Sequence, residues 1–363
     1  MISLFKVHMP KNVGATIGEV FETGYVGEGV YSSLFERKLS DYIGNNFVSI
    51  VNSCTSALTL AYLMCGIKAG DEVITTPMTC TATNQPLLSL GAKIIFADVD
   101  PNTGNIDPDD VKRKITSKTK AVVGVHWGGQ PFDIQSINEI SKEFDISVVE
   151  DAAHALGAEY NDILIGNHSD FICFSFQAIK HITTGDGGAI CTKSESYKEK
   201  IDKMRWFGIN RNYKEGNRWE QDIEQHGYKF HMNNINASIG LLQLNYLPEI
   251  IRKHRNNGLY YDSNINNRKI KLLKRSEKSK SSFWIYSLLI NDNPFQFKKY
   301  MYEHGIEVDK VHIRNDYYSI FKPFVKEDLI GLNEFSSKLM NIPVGWWLSD
   351  LDRDYIVDTI NNY

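Results

Sequence analysis

The order of apolar and polar positions sorts this chain into short buried segments and amphipathic ones. Val48 to Val51, Glu72 to Thr75, Lys93 to Asp98, Lys120 to His126, Ile146 to Glu150 and Phe171 to Phe176 are short apolar runs bounded by polar or turn residues. Runs of that kind predict strands covered on both faces. Between them, apolar residues return at helical spacing, which predicts helices over Ala57 to Cys65, Ala82 to Leu90, Asp109 to Ile115 and Ile134 to Phe144. Repeated strand–helix units imply a mostly parallel sheet with helices on its faces, an α/β fold.

Flanking segments are read in the same way. Residues 1 to 50 predict an arm and a helix, the helix from Ser33 to Ile43, preceded by the glycine-rich loop Gly24 to Gly29. Further helices are expected over Lys198 to Phe207, Ile235 to Tyr246 and Asp350 to Ile360, with a strand from Phe283 to Ile290. The polar stretch Asn210 to Gln225 is expected to be a mobile loop. Composition changes near Pro248, which places a large domain with an N-terminal arm over 1–247 and a smaller α+β domain over 248–363.

Composition narrows the class. At 363 residues, 42% hydrophobic and 23% charged, the chain has the make-up of a soluble globular enzyme. A formal net charge of -4 gives no reason to expect nucleic acid as a partner. The five cysteines, Cys54, Cys65, Cys80, Cys173 and Cys191, have no metal-type spacing, and their odd number argues against a disulfide framework. A reducing, cytoplasmic location is expected. No apolar run approaches the roughly 20 residues that span a bilayer, so no membrane is expected.

Chemistry gathers where the predicted strands end. In parallel sheets ligands collect at the strands' carboxyl ends, and Thr55, His126, Asp151 and Lys180 each follow a predicted strand there. Lys180 lies just past a buried run. Partial desolvation there lowers its pKa and frees the amine for attack on a carbonyl, the chemistry of a Schiff base. It precedes the turn Gly185-Asp186-Gly187-Gly188, whose glycines reach conformations closed to other residues. Ser53, Cys54, Thr55 and Ser56 stand at a helix start, where free N–H groups and hydroxyls make an anion site; capping alone also accounts for these residue types. Asp151 can hold a ring nitrogen protonated or simply cap a helix. His154 can pack on a ring or sit in the core. The run Arg268 to Lys280 carries seven Lys or Arg against the one Glu277, as expected of a solvated loop or, alternatively, of a diphosphate contact.

Three segments occur in order: Asn52-Ser-Cys-Thr-Ser-Ala-Leu58, Glu150-Asp-Ala-Ala-His-Ala-Leu-Gly-Ala158 and Phe174-Ser-Phe-Gln-Ala-Ile-Lys180-His-Ile-Thr-Thr-Gly-Asp-Gly-Gly188. Together they resemble the sugar aminotransferases of the DegT/DnrJ/EryC1/StrS family. The resemblance extends from about Gly24 to the C-terminus and takes in Gly227 to Leu244 and Asn341-Ile-Pro-Val-Gly345. It implies a fold-type I pyridoxal-phosphate (PLP) transferase, like aspartate aminotransferase. Lys180 would carry the cofactor and shuttle the proton, and Asp151 would partner the pyridine nitrogen. His154 would lie near the phenolic edge. Thr55, Ser56 and Ser175, with Ser53 and Cys54, would form the phosphate cup, and His231 would reach the phosphate of a neighbouring subunit. Cys80 stands where relatives usually carry an aromatic stacked on the ring. Tyr25, His181, Arg314 and Asn315 are candidate substrate contacts.

The resulting expectation is a homodimer with shared sites. It would move an amino group from an amino acid, L-glutamate, to a keto group on a nucleotide-linked deoxysugar for polysaccharide or O-antigen synthesis. Two alternatives stay open: a dehydratase of the same fold, which usually has histidine in place of the lysine, and a non-catalytic homologue that binds an amino sugar.

Overall fold

A computed structural model describes residues 1–211, 213, 216–217 and 219–363. Residues 212, 214, 215 and 218 fall within the stretch 210–225, so the expectation of a mobile loop there lies partly outside the described residues. In chain order the strands are β1 (Val48–Val51), β2 (Glu72–Thr75), β3 (Lys93–Phe96), β4 (Thr119–Val125), β5 (Ser147–Asp151), β6 (Glu159–Tyr160), β7 (Ile163–Leu164), β8 (Phe171–Ser175), β9 (Gly188–Thr192), β10 (Ile270–Leu272), β11 (Ser279–Lys280), β12 (Tyr286–Ile290) and β13 (Leu339–Ile342).

Seven of them form the central sheet, in the order β1-β9-β8-β5-β4-β2-β3. Neighbours from β3 to β8 run parallel. β9 alone runs against both of its neighbours. Because side chains alternate across a strand, each buried run feeds two cores. Ile50, Ile74, Val122, Val148 and Ile172 enter one, and Val51, Val73, Val123, Val149 and Cys173 the other. The first core is covered by the helices Val30–Ile43 and Ile134–Phe144, the second by Cys54–Met64 and Glu195–Met204. Each fully buried Val, Leu or Ile of this kind contributes about 1.5–3 kcal/mol.

Local chemistry sets the element ends. Helix Ile134–Phe144 starts where the Asp133 side chain accepts the Ser136 N–H and stops at Asp145, which has φ 53°. Pro248 begins a helix instead of breaking one, because in the first turn its missing N–H costs nothing. That helix, Leu247–Asn264, was not expected; it sends Leu247, Ile250 and Ile251 into the first core and Tyr261 into a third. The third core lies around an antiparallel sheet, β10-β12-β13, with Tyr286, Leu288, Phe297 and Ile342 inside. Val13–Glu22 is also helical, within what was read as an arm.

The basic run is not simply solvated. Lys271 reaches Asn102 at 2.6 Å, Lys278 reaches Gln135 at 2.9 Å, and Lys280 pairs with Glu159 and Asp162 at 2.9 and 2.7 Å. Its charges tie β10 and β11 to the first half of the chain. Among the described residues no helix is long and apolar enough to cross a membrane.

Candidate active site

Strand ends β1, β4, β5 and β8, with the start of the antiparallel β9, meet along one edge of the central sheet. A cavity of about 310 Å³ opens there. Ser53, Cys54, Thr55, Cys80, Asp151, His154, Ser175 and Lys180 line it, drawn from segments far apart in the chain. Ser56 stands just behind them. Its N–H donates to Ser53 Oγ at 3.1 Å and its hydroxyl to Asn52 Oδ1 at 2.6 Å.

The helix Cys54–Met64 begins at the cavity. Ser53 caps it, and the first intrahelical bond runs from Ala57 N–H to Ser53 O at 3.1 Å. The N–H groups of Cys54 and Thr55 precede that bond and belong to the positive end of the helix dipole. Gly188 brings this turn close. A Cβ there would lie 2.6 Å from Cys54 N and from Ser53 C, so any side chain would push the helix start off β9. Gly187 is held to glycine in the same way, by Thr184 Oγ1 at 2.1 Å. Only Gly185 in this turn has a positive φ, at 83°. The expectation of unusual backbone therefore holds for one of the three glycines; close approach explains the other two.

Adjacent acids on β5 point to opposite faces. Glu150 turns into the first core and meets His126 Nε2 at 2.9 Å, both fully buried. Asp151 turns toward the cavity, 4% exposed. Its Oδ2 accepts the Thr83 hydroxyl at 2.6 Å and its Oδ1 the Ala153 N–H at 3.1 Å. Thr83 is fixed in turn by Thr79 at 2.6 Å.

Lys180 is partly buried, and its Nζ lies 3.8 Å from the ring centroid of Trp284. Burial pushes its pKa down to about 8, with Asp151 pulling the other way. His154 stacks on Trp284 at 3.8 Å and 11°, and its Nε2 lies 3.3 Å from His312 Nε2. Its Nδ1 is buried with no partner among the described residues. Burial and the nearby Lys180 amine keep His154 well below the usual histidine range and push His312 down to about 3.

The remaining candidates lie away from the cavity lining. His231 is partly buried against the edge of Trp206 at 4.1 Å, with its pKa pushed to about 4 by burial and by Arg211. Tyr25 is 50% exposed. His181 is buried, its Nε2 3.0 Å from Ser282 O. Arg314 is held by Asp316 at 2.6 and 2.7 Å. Asn315 donates to Thr79 O at 2.8 Å and accepts from Asn84 at 2.9 Å, so it braces the loop before Cys80 from behind.

Trp284 was not anticipated as a site residue, whereas His312 belongs to the polar-aromatic run Val311 to Tyr318 that also holds the candidates Arg314 and Asn315. Trp284 sits in the segment read as strand from Phe283 onward, but β12 begins only at Tyr286. Phe283 has φ 47°, a conformation that costs a bulky residue about 1–3 kcal/mol. Surrounding bonds impose it. His254 Nδ1 meets Phe283 O at 2.8 Å, Ser282 Oγ donates to His154 O at 2.9 Å, and Trp284 Nε1 donates to Ile179 O at 2.9 Å. The kink turns the indole to the cavity. A positive φ at a phenylalanine leaves no mark in sequence.

A site with this donor set suits PLP. It offers an amine, a buried carboxylate, a helix start flanked by Ser53 and Ser175 for an anion, and an orphaned imidazole nitrogen for a ring hydroxyl. Among the described residues no three metal-ligating side chains are grouped.

Comparison with known proteins agrees. AtS13 from Actinomadura melliaura superposes with a TM-score of 0.96 at 37% identity, covering 100% of this chain and 99% of that one. An aminotransferase from Streptococcus pneumoniae described as a putative sugar aminotransferase, solved in PLP and PMP forms, is 25% identical, with TM-scores of 0.91 and 0.92 and 98% of that chain covered in each. The dTDP-4-amino-4,6-dideoxy-D-glucose transaminase of Shigella dysenteriae is 32% identical over 93% of this chain and 91% of its own. The UDP-4-amino-4,6-dideoxy-N-acetyl-beta-L-altrosamine transaminase of Campylobacter jejuni is 31% identical over 90% and 88%. The model of the DegT/DnrJ/EryC1/StrS aminotransferase family matches residues 9–361, and the chain belongs to that family.

Proposed function

We propose that this enzyme transfers an amino group from L-glutamate to the keto carbon of a nucleotide-linked deoxysugar, supplying an amino sugar for polysaccharide or O-antigen assembly. The observation that carries the reading is the single cavity that gathers Lys180, Asp151, His154 and the helix start at Cys54. The relatives named as dTDP- and UDP-sugar transaminases support the sugar as acceptor.

PLP, when bound, supplies an aldehyde that takes up amino groups and a ring that accepts electrons. The Cys54 and Thr55 N–H groups, with the Ser53 and Ser175 hydroxyls, would hold its phosphate. Asp151, aimed by Thr83, would keep a proton on its ring nitrogen. Lys180 would hold the cofactor between turnovers and would stand free as a base while an amine substrate occupies it. Its free Nζ would take the proton from the donor's α-carbon, a role suited to a base with a pKa near 8. The keto sugar would enter after the keto acid has left and would take the amino group that the donor gave up, with Lys180 placed to deliver a proton to the sugar carbon. Donor and acceptor use the site in turn, so the kinetics are ping-pong.

Addition of L-glutamate to the PLP-loaded protein is expected to convert the cofactor's absorbance band to that of the amine form. A loaded protein whose band ignores glutamate would exclude this donor, and a protein that takes up no PLP would sink the reading.

The second part of the proposal is a homodimer with shared sites, His231 reaching the neighbour's phosphate. Exposed Phe21, Tyr25, Val26 and Val30 lie on one short segment, and Arg211 links Tyr25 and Glu28 to the stretch after Phe207. Apolar exposure of this kind marks an interface. Sedimentation of the protein as a lone 41.4 kDa species would remove it. We assign 1–247 as the cofactor-bearing domain and 248–363 as the smaller one, supported by the separate core around β10, β12 and β13.

A further inference from the structure

His154 and His312 form a pair whose mutual hydrogen bond the proposed chemistry above does not use. Their rings lie within 7° of parallel, with centroids 5.3 Å apart and Nε2 atoms 3.3 Å apart. That combination puts the rings side by side, joined edge to edge by one hydrogen. Trp284 underlies both, at 3.8 Å from His154 and 6.1 Å from His312, with tilts of 11° and 17°. The indole is itself fixed by its bond to Ile179 O, one residue before Lys180.

A neutral imidazole carries one N–H. When two neutral imidazoles share a hydrogen between Nε2 atoms, the acceptor must carry its own hydrogen on Nδ1. Both rings are held neutral here by burial and by the neighbouring Lys180 amine. His154 Nδ1 is the buried nitrogen with no partner, on a residue that lines the cavity. His312 is the more open of the two, so its own Nδ1 can turn to water.

We propose that His312 is a positioning residue: its Nε2–H donates to His154 Nε2 and thereby fixes His154 as an Nδ1–H donor toward the ring hydroxyl of the bound cofactor. The pair deepens the proposed function and rests on it for the identity of the acceptor. An ionised ring hydroxyl accepts hydrogen bonds and offers none, so only the Nδ1–H form of His154 matches it. Trp284 supplies the flat platform that keeps the two rings in register.

The test uses full-length protein labelled with 15N-histidine. Two-bond nitrogen–proton correlations on the apo protein report which ring nitrogen of His154 carries hydrogen. The Nδ1–H form is expected in the natural protein. His312→Phe keeps the ring and removes the donor, and should release His154 to a mixture or to the Nε2–H form. His312→Gln keeps a donor amide and should restore Nδ1–H. In the PLP-loaded enzyme, His312→Phe should move the pH midpoint of the cofactor's absorbance up by about one unit, a tenfold change in acidity. An Nε2–H form in the natural protein, or one tautomer shared by the natural and His312→Phe proteins, overturns the proposal. A tautomer that changes while the loaded spectrum does not also overturns it, yet leaves the proposed function standing. Failure of the natural protein to take up PLP removes the reading on which both rest.

Discussion

Glu150 and Asp151 are neighbours on one strand, both nearly inaccessible to water, and they face different worlds. Glu150 meets a single closed partner, His126, whose ring stacks on Phe132 at 4.7 Å and 10°. Asp151 meets two hydroxyl- and amide-type donors and a cavity. Burial and residue type are nearly the same; what lies opposite differs. A buried carboxylate therefore becomes a site residue through the space left beside it, and a structural one when that space is filled.

The largest test of this contrast exchanges charge on each side. Asp151→Asn should lower kcat by about 10²–10³-fold through the lost electrostatic partner, with the melting temperature little changed. Glu150→Gln should do the reverse, costing about 1–3 kcal/mol of stability with kcat within a few-fold of the natural enzyme. Chemical denaturation and steady-state rates on the two variants decide it. Equal losses of activity from both would erase the distinction between the faces.

A smaller effect sharpens the cavity side. Burial lowers Lys180 from the ordinary 10.5 to about 8. Between those values the unfolded chain holds a proton that the fold does not. The apo protein should thus gain stability as pH rises through that window, the cost of the buried ammonium being fully present below pH 8. Modification of Lys180 in the apo protein by an amine-selective reagent should follow a midpoint near 8 and fall about tenfold per unit below it. A midpoint near that of a surface lysine would show that the amine is solvated.

Much of the cavity was legible because the sheet that builds it is covered on both faces. Its strands are apolar runs short enough to bound closely, and each functional residue follows such a run. Lys180, Asp151 and Thr55 could therefore be placed before any geometry was known, whereas His126, placed by the same rule, pairs with Glu150 in the first core and not at the cavity. Trp284 could not be placed. It comes more than 100 residues after Lys180, and the indole reaches the cavity only through the kink at Phe283. Nor did the pattern show that Gly187 and Gly188 serve close approach, since the atoms they would strike belong to other segments. The long helix at Leu247 was hidden because Pro248 reads as a break wherever the start of a helix is not yet fixed.

The reversed strand β9 also orders the events of folding. β1 has β9 as its sheet neighbour, with Val48 opposite Cys191, so it can dock only after the chain has been made past residue 191. By then Lys180 has already been synthesised. The helix start that follows β1 and the lysine that precedes β9 are thus brought together in one step of chain growth. Strands β2 to β5, which carry Asp151, can pair before that step, but the lysine and the helix start cannot meet before it.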